Sequence, residues 1–283
     1  MKQMAILTEN SYGKSGVKLT KVSRRGDVHE VKQLEVAIAL RGEFTKCYTE
    51  GDNSMVVPTD TMKNTVYALA KKNEFDSIEF FAKILGKHFV DEFSHVASAT
   101  IEIQETLWNR MVINGKSHEH SFVGGNDEKR TCKVVASRGA IHVQGGISGL
   151  AVLKTTRSGF VNYIKDQYTT LKETTDRIFA TTVNATWNFP SADAGFNGCH
   201  KTIRDAIVNV FAAHDSLAVQ QTLYAMGEAA LAACKEIDEI SFVMPNQHHL
   251  LINLQPFGME NSNEIFVPTT EPFGMIAGTI RRK

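Results

Sequence analysis

One feature constrains the fold of this chain more than any other: a strand-strand-helix-helix-strand-strand order that runs through it twice. Val17–Val22 and Leu34–Leu40 have strand composition, with Arg25-Gly26-Asp27 between them as a turn. A helix follows Thr59, its apolar face set by Met62, Val66 and Leu69. A second helix is expected from Asp76, which can cap it with Glu79 three residues on; Phe80, Phe81, Ile84, Leu85 and Phe89 keep its period. Val96–Ile103 then alternates as a strand, and Trp108–Ile113 is expected to pair with it. The second half repeats the order. Ile147–Leu153 and Arg177–Ala185 read as strands, and His200–His214 as a helix carrying Ile203, Ile207, Val210 and Phe211. Ser216 can cap a further helix through Leu223, Met226 and Leu231 to about Cys234, before strands at Ile237–Val243 and His249–Leu254. Antiparallel strands with helices on one face make the chain α+β, with two modules, 1–138 and 139–283, meeting near Arg138-Gly139. Exposed sheet edges in such modules call for closure into a barrel or an oligomer.

Composition excludes several classes of partner. The 31 basic and 31 acidic side chains cancel. Nucleic acid or an anionic membrane surface as the main partner would leave an excess of Lys and Arg. No apolar run reaches the ~18 residues of a membrane span, and the first residues lack a secretory signal. Cys47, Cys132, Cys199 and Cys234 are scattered, with no CxxC pair, as expected of reduced thiols rather than a zinc site or a disulfide framework.

Common catalytic signatures are missing from the sequence: a Walker lysine loop, GxGxxG after a strand, HExxH and GxSxG. Gly124-Gly125 and Gly145-Gly146 read as turns. His118-Glu119-His120 could present two imidazoles on one strand face but lacks a third ligand nearby, so surface-loop histidines are the simpler reading. Three segments concentrate polar chemistry. Val56–Thr65 places Thr59 and Asp60 at a helix start, as an ordinary cap or as free amides for an anion. Tyr168–Arg177 is dense in hydroxyls and charges, and Met244–His249 is a polar connection between two strands.

These segments match one family in order and spacing. Tyr12-Gly13-Lys14, Thr59-Asp60 with Lys63-Asn64-Thr65, and Lys87-His88-Phe89 come first. Ser148-Gly149-Leu150, Val152-Leu153-Lys154, Tyr168-Thr169-Thr170-Leu171 and Asp176-Arg177 follow. Pro245-Asn246 with His248, and Leu254-Gln255-Pro256-Phe257-Gly258, close the series. The chain resembles the urate oxidase (uricase) family, in its bacterial branch, over nearly its whole length. The resemblance implies the tunnelling fold, two ββααββ modules per subunit forming half of a β-barrel, with dimers stacked into a homotetramer. It also implies cofactor-free oxidation of urate by oxygen and water to 5-hydroxyisourate and hydrogen peroxide, with no metal.

By the same resemblance Lys14, Thr59 and His248 form a proton relay, and Arg177 and Gln220 clamp the purine. Phe160 stacks on the ring, the Asp60 and Val219 amides complete the hydrogen bonds, and Asn246 lies beside the oxygen and water position. These residue types suit the task. Guanidinium offers a two-pronged contact, a carboxamide both donates and accepts, and histidine exchanges protons between pH ~5 and 8. The family's sites lie at subunit interfaces. The ending Arg281-Arg282-Lys283, in place of a Ser-Lys-Leu signal, points to the cytoplasm. Two rivals carry the same outline: a pterin-handling zinc enzyme of the tunnelling fold, and a purine-binding relative without chemistry.

Overall fold

The computed structural model describes residues 5–269 and 271–283. Two compact units divide the chain. One comprises Met1–Gly145 with Phe189–Asn197, the other Gly146–Asn188 with Gly198–Lys283.

In the first unit β1 (Tyr12–Arg25) and β2 (Val28–Gly42) form a hairpin around Gly26, whose φ of 65° needs no Cβ to be accommodated. A short helix α1 (Thr45–Glu50) precedes α2 (Thr59–Lys72) and α3 (Ile78–Glu92), followed by β3 (Val96–Ile113) and β4 (Lys116–Ser137). The strands lie in the order β1-β2-β3-β4 and pair antiparallel. Alternate residues on β2 (Leu34, Val36, Ile38, Leu40) and β3 (Ala99, Ile101, Ile103) are buried. The helices bury Met62 and Val66 from α2, and Phe81, Leu85 and Phe89 from α3. Each such side chain contributes ~1.5–3 kcal/mol on leaving water.

The expected strand at Trp108–Ile113 does not pair with Val96–Ile103; both belong to the single strand β3. The chain turns later, at Asn114-Gly115, where φ values of 51° and 77° form the tight hairpin that Asn-Gly favours. Register shifts after Thr106 and Arg110 let so long a strand stay paired with β4. Gly124-Gly125 is not a turn either: it lies within β4, opposite Trp108. A Cβ on Gly124 would stand 3.3 Å from the Trp108 ring, so glycine there makes room for the indole. His118 and His120 also lie on β4 rather than in a loop, their rings 4.7 Å apart.

The cap of α3 is Ser77, not Asp76. Its side chain accepts from the Phe80 amide at 3.3 Å, and Glu79 turns inward to meet Arg130 at 2.7 Å. Both members of that pair are buried. Arg130 also donates to Asn197 at 2.6 Å, and Lys83 donates to the Ala192 carbonyl at 2.6 Å, which holds segment 189–197 in this unit.

The second unit continues β5 (Ala140–Lys154) and adds β6 (Phe179–Phe189), α4 (Phe196–Ala213), α5 (Val219–Ala233) and β7 (Glu239–Gln247). Then come β8 (His249–Leu251), a single 3-10 turn at Gln255–Phe257, β9 (Phe266–Pro268) and β10 (Gly274–Arg281). The order is β5-β6-β7-β10, while β8 and β9 form a separate two-stranded ribbon. Phe179, Val183 and Trp187 from β6 and Ile240, Phe242 and Met244 from β7 are buried, as are Ile203 and Ile207 of α4 and Leu223 and Met226 of α5. Gly145-Gly146 is buried inside β5 and makes no turn. His249–Leu254 supplies only a three-residue strand, and its place in the main sheet is taken by β10. Met244–Gln247 is the end of β7 rather than a connection. Ser216 does not cap α5. Ala218 holds that position without a side-chain bond, while the buried Ser216 hydroxyl meets the Thr222 hydroxyl in a short contact.

Candidate active site

The first unit builds one cluster from β1 and the start of α2. Pro58 occupies the N-cap position of α2, so Thr59 is its first residue and Asp60 its second; neither is the cap. Proline suits this boundary because its fixed φ, −56° here, leads into a helix. No side chain caps α2, so the amides of its first turn remain open. Asp60 commits its carboxylate along the helix, to Lys63 in a short contact and to Asn64 at 2.9 Å. Lys63 is the main cause holding that carboxyl below the usual range, and the Lys14 ammonium adds a smaller pull. Lys14 therefore lies in the field of the same helix start. Its strand is irregular at this point. The β1–β2 register shifts between Lys14 and Val17, with Gly16 at φ 69°, a bulge that re-aims neighbouring side chains.

The second unit builds another cluster around residues 156–160. Asp176 accepts from the Thr156 hydroxyl at 2.9 and 3.0 Å and from the Arg157 amide at 2.8 Å. Phe160 and Thr174 exchange backbone bonds of 2.7 and 3.2 Å. The Gly159 amide donates to the Ser216 carbonyl at 2.8 Å, and the Ser216 amide to the Arg157 carbonyl at 2.9 Å. These stitches bring together Phe160, Arg177 and the start of α5, where Val219 and Gln220 are the first two residues. The Arg177 guanidinium stands 5.4 Å from the Phe160 ring centre, and Tyr163 stacks on that ring at 4.8 Å. Burial lowers the affinity of Arg177 for its proton, although an arginine stays charged.

Arg177 has no ion-pair or hydrogen-bond partner among the described residues, whereas Arg130, Arg157 and Arg281 each pair with a carboxylate. The Ala180–Gln247 and Thr181–Asn246 pairs set Asn246 and His248 at the end of the sheet where Arg177 enters. The His248 backbone is held by Thr269, whose amide donates to its carbonyl at 2.8 Å. Among the described residues no group of three or more His, Cys, Asp or Glu side chains is arranged to hold a metal ion. No helix there is long and apolar enough to cross a membrane.

Sequence reasoning missed three supports: the Tyr12 contact with Val57, the Asp176 tie, and the Ser216–Thr222 contact. Tyr12 and Asp176 stand in the words that carried the resemblance, but their partners lie 45 and about 20 positions away.

Two antiparallel ββααββ units in one chain, each with an open helix start beside charged side chains, define a tunnelling-fold protein. The uricase family model matches residues 10–135 and 143–277. The uricase of Arthrobacter globiformis is 43% identical over 98% of this chain and 90% of its own length, and its crystal structure superposes with a TM-score of 0.94 over 99% and 96% of the two chains. The uricase of Schizosaccharomyces pombe is 38% identical over the full length of both. A urate oxidase structure from Bacillus sp. TB-90, at 24% identity, shares the fold with a TM-score of 0.84 over 96% and 100% of the chains. The chain belongs to the uricase family.

Proposed function

We propose that the protein oxidises urate with molecular oxygen and water to 5-hydroxyisourate and hydrogen peroxide, using no metal or organic cofactor. The observation that carries this reading is the half-buried Arg177 beside the Phe160 ring, with no ion-pair or hydrogen-bond partner among the described residues, together with the open start of α5. A charge left partly desolvated and uncompensated is suited to an anionic ligand. A flat aromatic face next to it suits a flat ring.

Urate gives two electrons to oxygen in single steps, oxygen takes two protons to become peroxide, and water supplies the hydroxyl of the product. Triplet oxygen accepts electrons only from an electron-rich donor, so urate must first lose protons. Lys14, Thr59 and His248 are the relay in this reading, with no competing side-chain bond among the described residues. Arg177 and Gln220 clamp the purine, Phe160 stacks on it, the Asp60 and Val219 amides donate to it, and Asn246 holds oxygen or water. Family membership weighs against the zinc-dependent pterin alternative.

The working form is a cytoplasmic homotetramer of modules 1–138 and 139–283, with mixed sites at subunit interfaces. Support comes from β1 and β10, each paired on one side only.

The deciding assay follows urate absorbance, oxygen uptake and peroxide together. Equal stoichiometry, unchanged by a chelator, is the expected result; purine binding without turnover would overturn the reading. Co-refolding inactive Thr59→Ala chains with inactive Arg177→Ala chains tests the interface. Random pairing makes half the dimers mixed, so about a quarter of pockets should regain activity. No gain despite proven mixing would put the whole site in one chain.

A further inference from the structure

We propose that Tyr12 is a positioning residue for the oxidation, one hydroxyl that sets Lys14 and Thr59 relative to each other. The inference rests on the reading of those two residues as relay members.

Tyr12 opens β1, two residues before Lys14. Its hydroxyl accepts from the Val57 amide at 2.8 Å and donates to the Val57 carbonyl at 3.2 Å. Val57 is buried and lies two residues before Thr59. One phenol thus satisfies both backbone polar groups of a residue that has no other hydrogen-bond partner among the described residues. Leaving such groups unpaired is costly, so the bond holds the approach to α2 in place. Proline at 58 then transmits that placement, because its ring restricts the backbone on both sides.

The other end of the link is equally constrained. The Tyr12 ring meets the buried Phe44 ring edge-on, 4.8 Å between centres at 88°. A Cβ on Gly13 would fall 1.8 Å from the Ile38 carbonyl oxygen, so β1 lies hard against β2 between Tyr12 and Lys14. The ladder then breaks into the bulge after Lys14. Lys14 is pinned on its N-terminal side by the same residue that pins Thr59. Burial raises the Tyr12 hydroxyl above its ordinary titration range, which keeps it a neutral donor and acceptor through the working range of pH. Nothing places Tyr12 against the substrate, and its effect passes through the two residues it orients.

Tyr12→Phe tests this, since it keeps the ring and its Phe44 contact. Misplacing a relay group by a fraction of an ångström to an ångström should lower kcat roughly 10–100-fold, with KM within about threefold. The same change made in Thr59→Ala should cost less than about threefold, because the group being positioned is already gone. Made in Arg177→Lys, a change that leaves the Tyr12–Val57 link and its two relay residues intact, it should keep its full effect. A normal kcat in Tyr12→Phe overturns the proposal, as does an equal loss in the Thr59→Ala background, which marks a general structural defect. If Thr59→Ala itself turns over normally, the relay reading has failed, and the proposal falls with it for that separate reason. Should Tyr12→Phe not fold, 3-fluorotyrosine at position 12 keeps the ring and weakens acceptance from Val57. A kcat loss of at least about threefold at constant KM is then expected, and unchanged kcat overturns the proposal.

Discussion

The starts of α2 and α3 are built from similar materials and used in opposite ways. At α3 the side chains of the helix start are committed inside the protein: Ser77 accepts from the Phe80 amide, and Glu79 in the first turn is buried against Arg130, itself shared with Asn197. At α2 the first turn is left open: no side chain caps it, Thr59 and Asp60 are exposed, and Asp60 spends its carboxylate away from the amides. The second unit repeats the open version at α5, where Ala218 caps nothing and the Gln220 side chain has no hydrogen-bond partner among the described residues. The arginines follow the same division: Arg130 pairs with Glu79, and Arg177 has no carboxylate partner among the described residues. Full satisfaction of polar groups marks what stabilises a fold, and unused donors mark where a ligand completes the set.

Substitutions at the two helix starts should therefore separate activity from stability. The largest effect is expected for Thr59→Ala: a kcat loss of ~10²–10⁴, the usual worth of a placed proton-transfer group, with an unchanged urea midpoint. A near-normal rate would break the contrast on the open side. Glu79→Ala should do the reverse. Stranding Arg130 in the core costs about 3–5 kcal/mol in urea unfolding, while kcat per folded subunit stays within about twofold. Ser77→Ala removes only the cap and should cost about 1 kcal/mol, again without a kinetic change. An equal loss from capping-residue changes at Ala218 and Ser77 would show that openness carries no meaning.

The smallest effect concerns pH. Burial, opposed in part by Arg130, raises the Glu79 carboxyl above its ordinary 4.5. The folded state then holds that proton more tightly than the unfolded state, so this contribution is present below pH 4.5 and is lost as pH rises toward the folded value. Relative to Glu79→Gln, which cannot ionise, the wild type should lose stability as pH climbs from 4.5. Asp60 runs the other way: with its carboxyl held below 3.8, its contribution is present above that value and is lost as pH falls. Urea midpoints of both proteins between pH 4 and 7 check the sign; a difference independent of pH would mean Glu79 ionises normally.

Much of this layout was legible in local patterns. Met62 and Val66 at helical spacing, and Leu34, Val36, Ile38 and Leu40 in alternation, gave away α2 and β2 because period alone decides which face a side chain joins. Asn114-Gly115 carries an equally local signal for the β3–β4 turn, a more specific one than the paired glycines inside β4. The proposed site positions rest on resemblance to a family alone, since Lys14, Arg177 and His248 are unremarkable in composition and spacing.

What the sequence by itself determined is the succession of strands and helices and the apolar faces that pack them, for these follow from neighbours a few residues apart. Tertiary structure alone decided that Ser77 rather than Asp76 caps α3, that Glu79 finds Arg130 51 residues on, and that Tyr12 satisfies both backbone groups of Val57, 45 residues away. It also decided that Arg177 would meet the Phe160 ring and no carboxylate among the described residues. The reason is physical: periodicity is a property of a segment, whereas a hydrogen bond between distant residues exists only once burial has removed the water that either group would otherwise bind.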